Sequence, residues 1–175
     1  MAKVVTKKPV RLTFTFLPDE EGVFRTSMLI PKGDTELVGQ IEDAIEEAKE
    51  YGKTAKWGGR IPRNIKIAFH DGDESDVDKY PENEGHYLLN ARSKKKVGLV
   101  DSDRQPILDS SEVYSGCWAY VSVTSFAYDN ESKGVSFFLN NIMKARDGEP
   151  FGSGGSSPDE DFADVEVEEE DDDLI

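Results

Sequence analysis

The chain has 175 residues, of which 37% are hydrophobic and 10% aromatic, enough to bury one ordinary core and too many for a protein that is disordered throughout. The formal net charge of -15 argues against nucleic acid as a partner, but residues 158–175 contain 11 acidic residues and no lysine or arginine. Residues 1–157 hold the other 25 acidic residues and all 21 basic ones, so the body of the chain is nearly neutral.

The cysteine content and the N-terminal sequence indicate a compartment. Cys117 is the only cysteine, which excludes an intramolecular disulfide and a CxxC zinc site. The basic N-terminal stretch lacks the apolar run of a signal peptide, and no segment has the apolar length that a bilayer span needs. We therefore expect an intracellular protein that is not associated with a membrane.

The first predicted element is a strand over residues 10–17. Apolar and polar side chains alternate there, and side chains of a strand point to opposite faces in turn. The alternation places Val10, Leu12, Phe14 and Phe16 together on one face, which we expect to be buried.

A second strand is predicted over residues 23–31, followed by one amphipathic helix. Asp34 has the character of an N-cap, and apolar residues then recur at helical spacing. The pattern predicts a helix from Thr35 to Tyr51 that Gly52 ends.

The rest of the body is predicted to be β-structure. Further strands are expected over residues 64–69, 86–93, 97–101, 113–128 and 134–139. Six or seven strands around one helix, without a βαβ rhythm, favour a mainly β fold, a small antiparallel barrel. The predicted boundaries are a barrel domain over residues 1–147, a flexible Gly/Ser linker over 148–158 and an acidic tail over 159–175.

The predicted strand over residues 113–128 has two different faces. Its odd positions carry small, mostly apolar residues, which suit the inside of a tightly curved barrel. Its even positions carry five aromatic residues that we expect to face outward: Tyr114, Trp118, Tyr120, Phe126 and Tyr128. Exposed rings of this kind can stack on the bases of a single strand, whereas the alternative is a second layer of core.

Two basic segments are candidates for contacts with phosphate groups. The candidate residues are Lys56, Arg60, Arg63 and Lys66 around the ring of Trp57, and Arg92 and Lys94 further along the chain. Together with the rings they predict a groove for nucleic acid. The alternative is an ordinary solvated surface, which is the commoner environment of lysine.

Other chemistries have weaker support. The triplet at residues 52–54 lacks the first glycine and the preceding strand of a phosphate-binding loop. The acidic run that starts at Asp71 lacks the glycine and closing glutamate of a calcium loop, so a solvated turn is the simpler interpretation. His70 and His86 have no partner that the sequence identifies. We predict no catalytic residue, no metal and no cofactor.

Several phrases, taken in order, are similar to one known family. They are KWGGRIP, HDGD, NARSK, EVYSGCW, FAYDNESKG, LNNIMKARDGEPFG and DFAD. From about residue 3 to 165 the chain resembles tailed-phage single-stranded DNA-binding proteins of the type found in an Enterobacter phage. The resemblance implies an oligonucleotide/oligosaccharide-binding (OB) barrel that coats single-stranded DNA in replication, recombination or repair, in the cytoplasm of the infected bacterium.

The resemblance also gives the C-terminal residues a role. Acidic tails with an apolar tip are similar to those of single-strand binders that recruit replication and recombination proteins. By this likeness the tail contact consists of Asp171, Asp172, Asp173, Leu174 and Ile175. The apolar pair would fill a pocket on the partner while the carboxylates meet its basic rim. The same tail would compete with DNA for the cationic groove.

Two other classes of function remain as alternatives. One is an acidic interaction module or DNA mimic, in which the aromatic residues are core. The other is a metal-dependent nuclease that uses the carboxylates near Asp71. The sequence leaves open whether the protein forms a homo-oligomer.

Overall fold

The computed structural model describes residues 1–18, 22–151 and 162–165. Within these residues the chain forms nine strands and one long helix. The strands are β1 (Lys3–Val5), β2 (Val10–Phe16), β3 (Phe24–Pro31), β4 (Lys66–Ile67), β5 (Phe69–Asp71), β6 (His86–Ser93), β7 (Gly98–Val100), β8 (Trp118–Asp129) and β9 (Lys133–Arg146). The helix is α1 (Thr35–Ala55), and short 3-10 turns span Gly72–Glu74, Pro81–Asn83 and Ser110–Glu112.

Five strands close into a barrel. Hydrogen bonding runs from β8 through β2, β3, β6 and β9 and returns to β8. These pairings are antiparallel, except that β6 meets β9 in parallel where Arg92 lies opposite Phe138. Short strands extend the sheet: β1 on β8, β5 on β6, and β4 and β7 on β9. The prediction of a mainly β barrel with one helix is confirmed, and β1 is a strand that the sequence pattern did not predict.

The hairpin of β8 and β9 is the longest pairing in the barrel. It runs from Asp129 opposite Lys133 to Trp118 opposite Arg146. Odd positions of β8 from 119 to 127 are buried, while even positions from 118 to 128 are partly exposed. The predicted division of this strand into a small inner face and an aromatic outer face is therefore confirmed. The strand begins at Trp118, not near residue 113, because the chain turns at Gly116, whose φ is 116°.

Helix α1 begins as predicted and ends later. The side chain of Asp34 accepts a hydrogen bond from the backbone N–H of Leu37, which satisfies one free donor of the first turn. Gly52 was expected to end the helix but lies inside it and is buried. A side chain at this position would collide with the Cβ of Ala127 and the ring of Trp57, so glycine serves close packing here.

A bulge in β2 reverses the expected faces of its second half. The register against β3 shifts between Thr13 and Phe16, and Phe14 has a φ of 48°. Val10 and Leu12 are buried as expected, but Thr13 is also buried and Phe14 and Phe16 are 44% and 52% exposed. One extra residue moves every later side chain to the other face of a strand, so the prediction that both phenylalanines are core is wrong.

The predicted linker and acidic tail lie largely outside the described residues. Only residues 148–151 of the linker and 162–165 of the tail are described, so the boundaries at 148 and 159 remain predictions. In the described part of the chain, no helix combines the length and the apolar character of a membrane span.

Two adjacent phenylalanines on β9 provide a test of the barrel's inner and outer faces. Phe137 is fully buried, whereas Phe138 is 42% exposed. We expect Phe137→Ala to lower the free energy of unfolding by about 3–5 kcal/mol because it leaves a cavity in the core. Phe138→Ala, the matched control, should cost about 1 kcal/mol or less. Urea denaturation followed by circular dichroism measures both, and equal losses would contradict the assignment of the two faces.

Candidate nucleic-acid interface

Aromatic and cationic side chains form one row across the outside of the barrel. The row consists of residues that lie opposite one another on adjacent strands: Phe16, Arg25, Arg92, Phe138, Thr124 and Lys3. Residues directly opposite share a face of the sheet. All except Thr124 are exposed, and Thr124 is partly exposed. Six strands at a spacing of about 4.8 Å give this cross-strand row a length of up to about 24 Å.

A groove of about 1360 Å³ runs beside this row. Its walls come from β2 to β6, β8 and β9, and Phe14, Phe16, Phe69 and Tyr128 contribute aromatic rings to them. On the groove wall, Ser27 donates a hydrogen bond of 2.6 Å to the side-chain oxygen of Asn90. A groove with several rings suits a ligand with flat apolar faces.

Three cations line the groove: Arg25, Lys66 and Arg92. Among the described residues, the ion pairs within 4.0 Å involve other basic groups, so these three charges are not neutralised by neighbouring carboxylates there. The guanidinium of Arg25 lies 5.5 Å from the ring centroid of Phe16. Cations that are free of protein carboxylates can neutralise the phosphates of a bound strand.

The outer face of β8 and β9 continues the aromatic surface. The rings of Phe126 and Phe138 stack with their centroids 3.9 Å apart and their planes at 15°. Further along β8, the guanidinium of Arg146 lies 4.6 Å from the ring centroid of Trp118. Tyr120 lies between these two groups on the same face of the strand. The predicted residues Trp118, Tyr120 and Phe126 therefore share one partly exposed surface.

Trp57 does not belong to this surface. Its ring is only 7% exposed and packs against Gly52, and its Nε1–H donates a hydrogen bond of 3.1 Å to the backbone oxygen of Tyr128. The expectation of an exposed stacking ring is corrected: Trp57 attaches the basic loop that follows α1 to the end of β8. An indole buried with its N–H satisfied is a stable packing unit.

Tyr114 is also placed differently from the prediction. It precedes β8, and its hydroxyl donates to the backbone oxygen of Gly148 at 2.9 Å and lies 3.0 Å from Asp147. The ammonium of Lys144 lies 5.3 Å from its ring centroid. Tyr114 therefore fixes the segment that leaves β9 and takes no part in the row of rings on β8.

The other predicted cations fall into two groups. Lys66 and Arg92 line the groove. The second group is exposed but lies outside the walls of the groove: Lys56, Arg60, Arg63 and Lys94. Their assignment as DNA contacts stays a prediction.

Besides Lys3 and Thr124 of the row, five residues of the site were missed by the sequence analysis. They are Phe14, Phe16, Arg25, Phe69 and Phe138. The alternation of β2 assigned the first two to the core, and only the bulge places them outside. Arg25 and Phe138 stand at outward positions of their strands, but their alignment with Arg92 depends on pairing between distant strands.

A lysine side chain lies between two carboxylates of the acidic loop after β5. The ammonium of Lys32 lies 2.6 Å from a carboxylate oxygen of both Asp71 and Asp73. These hydrogen bonds raise the pKa of Lys32 and lower the pKa of both carboxyl groups. A positive charge between the two carboxylates opposes a divalent cation there, and no cluster of three potential metal ligands occurs in the described part of the chain.

Comparisons with known proteins find a matching family and a relative. The sequence model of the family described as Enterobacter phage Enc34, ssDNA-binding protein, matches residues 2–175. Protein p50 of Acyrthosiphon pisum secondary endosymbiont phage 1 is 32% identical over 178 residues, which cover 92% of this chain and 93% of that protein.

Two solved structures share the fold. The single-stranded DNA-binding protein of bacteriophage Enc34, in complex with single-stranded DNA, is similar with a TM-score of 0.73 and 24% identity, over 86% of this chain and 89% of that one. The single-stranded DNA-binding protein gp2.5 of bacteriophage T7 has a TM-score of 0.62 and 19% identity, over 97% of both chains.

The fold and the site together define an OB-fold protein, since five strands close into a small barrel whose outer face carries rings and cations. The chain belongs to the Enterobacter phage Enc34 family of single-stranded DNA-binding proteins. This confirms the resemblance found in the sequence. The family is one of binding proteins, which also confirms the prediction that the protein is not an enzyme.

The corrected role of Trp57 leads to a test. We expect Trp57→Ala to lower the free energy of unfolding by about 3–5 kcal/mol, because a large buried ring is lost. Trp57→Phe keeps most of the packing and loses the hydrogen bond to Tyr128, so it should cost less, about 1–2 kcal/mol. Chemical denaturation measures both. A stable Trp57→Ala protein that has lost only its DNA affinity would restore the interpretation as a stacking ring.

Proposed function

We propose that the protein coats single-stranded DNA with little sequence preference, in the cytoplasm of a phage-infected bacterium. The observation that carries this proposal is the cross-strand row, in which Phe16 and Phe138 flank Arg25 and Arg92 on the open face of the barrel. The two rings can stack on bases of an unpaired strand, and the guanidinium groups between them can contact its phosphates.

The rings account for binding without sequence preference. Every base has a π-face, and each base that stacks on an aromatic side chain contributes about 1–3 kcal/mol. Phe16 and Phe138 are about half exposed, so a base can cover them without a rearrangement of the core. A duplex keeps its bases stacked on one another, which favours a single strand as the ligand.

The distribution of charge supports a nucleic-acid ligand despite the net charge of -15. Arg25, Lys66 and Arg92 line the groove, whereas the exposed acidic residues of α1, such as Glu42 and Glu46, lie outside its walls. Salt screens charges beyond about 10 Å, so the groove presents a local positive potential to phosphates.

Family membership supports a role in phage DNA metabolism. A protein that coats single strands would act in replication, recombination or repair, where such strands are exposed. We propose that the acidic tail, with Asp171, Asp172, Asp173, Leu174 and Ile175 at its end, recruits proteins of these processes. The apolar tip and the carboxylates would meet a pocket with a basic rim on the partner.

The described start of the linker supports competition between tail and DNA. Phe151 donates its backbone N–H to Ser115 at 3.0 Å, and its ring lies 3.9 Å below the guanidinium carbon of Arg11. Phe151 and Phe16 line one small cleft of about 400 Å³, and Phe16 also lines the groove. The last described residue before the tail, Phe151, therefore lies beside the groove. A tail tethered through this point would have a local concentration of millimolar order.

The first test of the function is a titration with poly(dT). We expect quenching of the fluorescence of Trp118, which lies on the outer face of β8, and an affinity that falls as salt is added. Arg92→Gln should reduce the slope of log K against log salt by about 0.7, the value for one phosphate on a single strand. Phe138→Ala should weaken binding about tenfold and leave that slope unchanged.

The control for this titration is Lys49→Gln. Lys49 is paired with Glu46 on α1, outside the walls of the groove, so its loss should leave both affinity and slope as in the wild type. A protein that ignores poly(dT) at low salt would favour the acidic interaction module instead. Degradation of the strand in the presence of a divalent ion would favour a nuclease.

The second test separates the two roles of the tail. Deletion of residues 159–175 should tighten binding to a dT oligonucleotide at low salt by about fivefold or more, the lower end of usual coupling between two sites. Asp171→Asn, Asp172→Asn and Asp173→Asn together should act in the same direction with a smaller effect. Leu174→Ser with Ile175→Ser, the matched control, should leave DNA affinity unchanged. An affinity that does not respond to the deletion would exclude competition.

A further inference from the structure

The acidic loop between β5 and β6 is built around a compact network of hydrogen bonds. Lys32 bridges Asp71 and Asp73, and the other side of Asp73 accepts the backbone N–H of Gly85 at 2.9 Å. The backbone N–H of Lys32 donates to Gly85 at 3.1 Å, so both ends of the loop are tied to the end of β3. The expectation of a merely solvated turn is therefore incomplete.

Hydrogen bonds and close packing within the loop also fix its conformation. Asn83 is 1% exposed, and its amide donates to the hydroxyl of Ser75, which in turn donates to the backbone oxygen of Gly72. A side chain at Gly72 would collide with the backbone oxygens of Asn83 and His86, so only glycine permits this packing. Such a network holds the loop in one conformation.

The loop holds Tyr80 against Phe14, which lines the groove. The backbone N–H of Tyr80 donates to Asp76 at 2.8 Å, and its backbone oxygen accepts from Asn83 at 3.0 Å. Its ring meets that of Phe14 edge-on, with the centroids 5.4 Å apart and the planes at 71°. Tyr80 itself is not part of the groove wall, whereas Phe14 is.

Phe14 needs such support. It stands at the bulge with a φ of 48°, a conformation that is costly for a bulky residue, and 44% of it is exposed. In the described part of the chain, Tyr80 is the one aromatic ring that packs against it. Without this contact the phenylalanine ring would sample several rotamers, and ordering it on binding would lower the affinity.

We propose that Tyr80 is a positioning residue of the DNA interface, which holds the ring of Phe14 at the rim of the groove so that a base stacks on it. The inference rests on the proposed function and adds the acidic loop to the DNA interface. Exposed charges of both signs lie near Tyr80: Asp76 and Asp78 are close in sequence, and the ammonium of Lys79 lies 5.4 Å from its ring centroid. The contribution that we assign to the loop is the ring contact with Phe14.

A double-mutant cycle on the full chain tests this role with a dT oligonucleotide as the probe. We expect Phe14→Ala to weaken binding about tenfold through the loss of a stack. Tyr80→Ala should weaken it about two- to tenfold. Because Tyr80 acts through Phe14, the double variant should bind within about twofold of Phe14→Ala. Tyr80→Phe should bind with wild-type affinity, and the salt slope of all four variants should equal that of the wild type.

Three results would overturn the inference. One is wild-type affinity in Tyr80→Ala, another is multiplication of the two single effects in the double variant, and the third is a changed salt slope. Failure of the wild-type protein to bind the oligonucleotide would refute the proposed function, which is a distinguishable outcome.

A second variant keeps the test decisive if Tyr80→Ala does not fold. Lys32→Gln removes the bridge to Asp71 and Asp73 at the base of the loop. We expect it to weaken binding in the wild-type background and to have no effect in the Phe14→Ala background. Lys49→Gln, which removes another lysine ion pair, should leave DNA affinity unchanged in both backgrounds. An equal loss of DNA affinity from Lys32→Gln in both backgrounds would contradict the proposal that the loop acts through Phe14.

Discussion

Closure of five strands into one barrel is the constraint on which the rest of the structure depends. The interior of a small barrel has limited room, and β8 contributes small residues such as Ala119, Val121 and Ala127 beside larger ones such as Phe137 on β9. Since side chains alternate along a strand, the same closure directs Trp118 and Phe126 outward. The alternation that places small residues of β8 in the core thus also places its aromatic residues on the surface. The pairing of β8 with β9 adds Phe138 beside Phe126.

The bulge in β2, in contrast, breaks the alternation of inward and outward side chains. It interrupts the alternation after Thr13 and sends Phe14 and Phe16 to the outside, where they form one wall of the groove. Bulges often occur where a strand must redirect a side chain, and Phe14 has the positive φ of such a position. The loop that carries Tyr80 stabilises that position from the other side.

Charge is separated in space as well as along the sequence. Lysines that lie beside carboxylates are used within the fold, as when Lys32 fixes the acidic loop and Lys144 binds Asp147. Arg25 and Arg92 have no such partner among the described residues and face the groove. A net charge far from zero therefore does not predict the potential of a particular face, because nearby charges dominate when distant ones are screened.

The sequence by itself determined the mainly β barrel, the start of α1, the two faces of β8 and the family, because periodicity, capping and ordered motifs are local properties of the chain. The candidates Lys66, Arg92, Phe126 and Tyr128 were found in the same way. Only the tertiary structure decided that Trp57 is buried, that Gly52 lies inside a helix and that the β2 rings are exposed. Those outcomes depend on a bulge and on contacts between residues far apart in sequence, such as Trp57 with Tyr128, which no local pattern encodes.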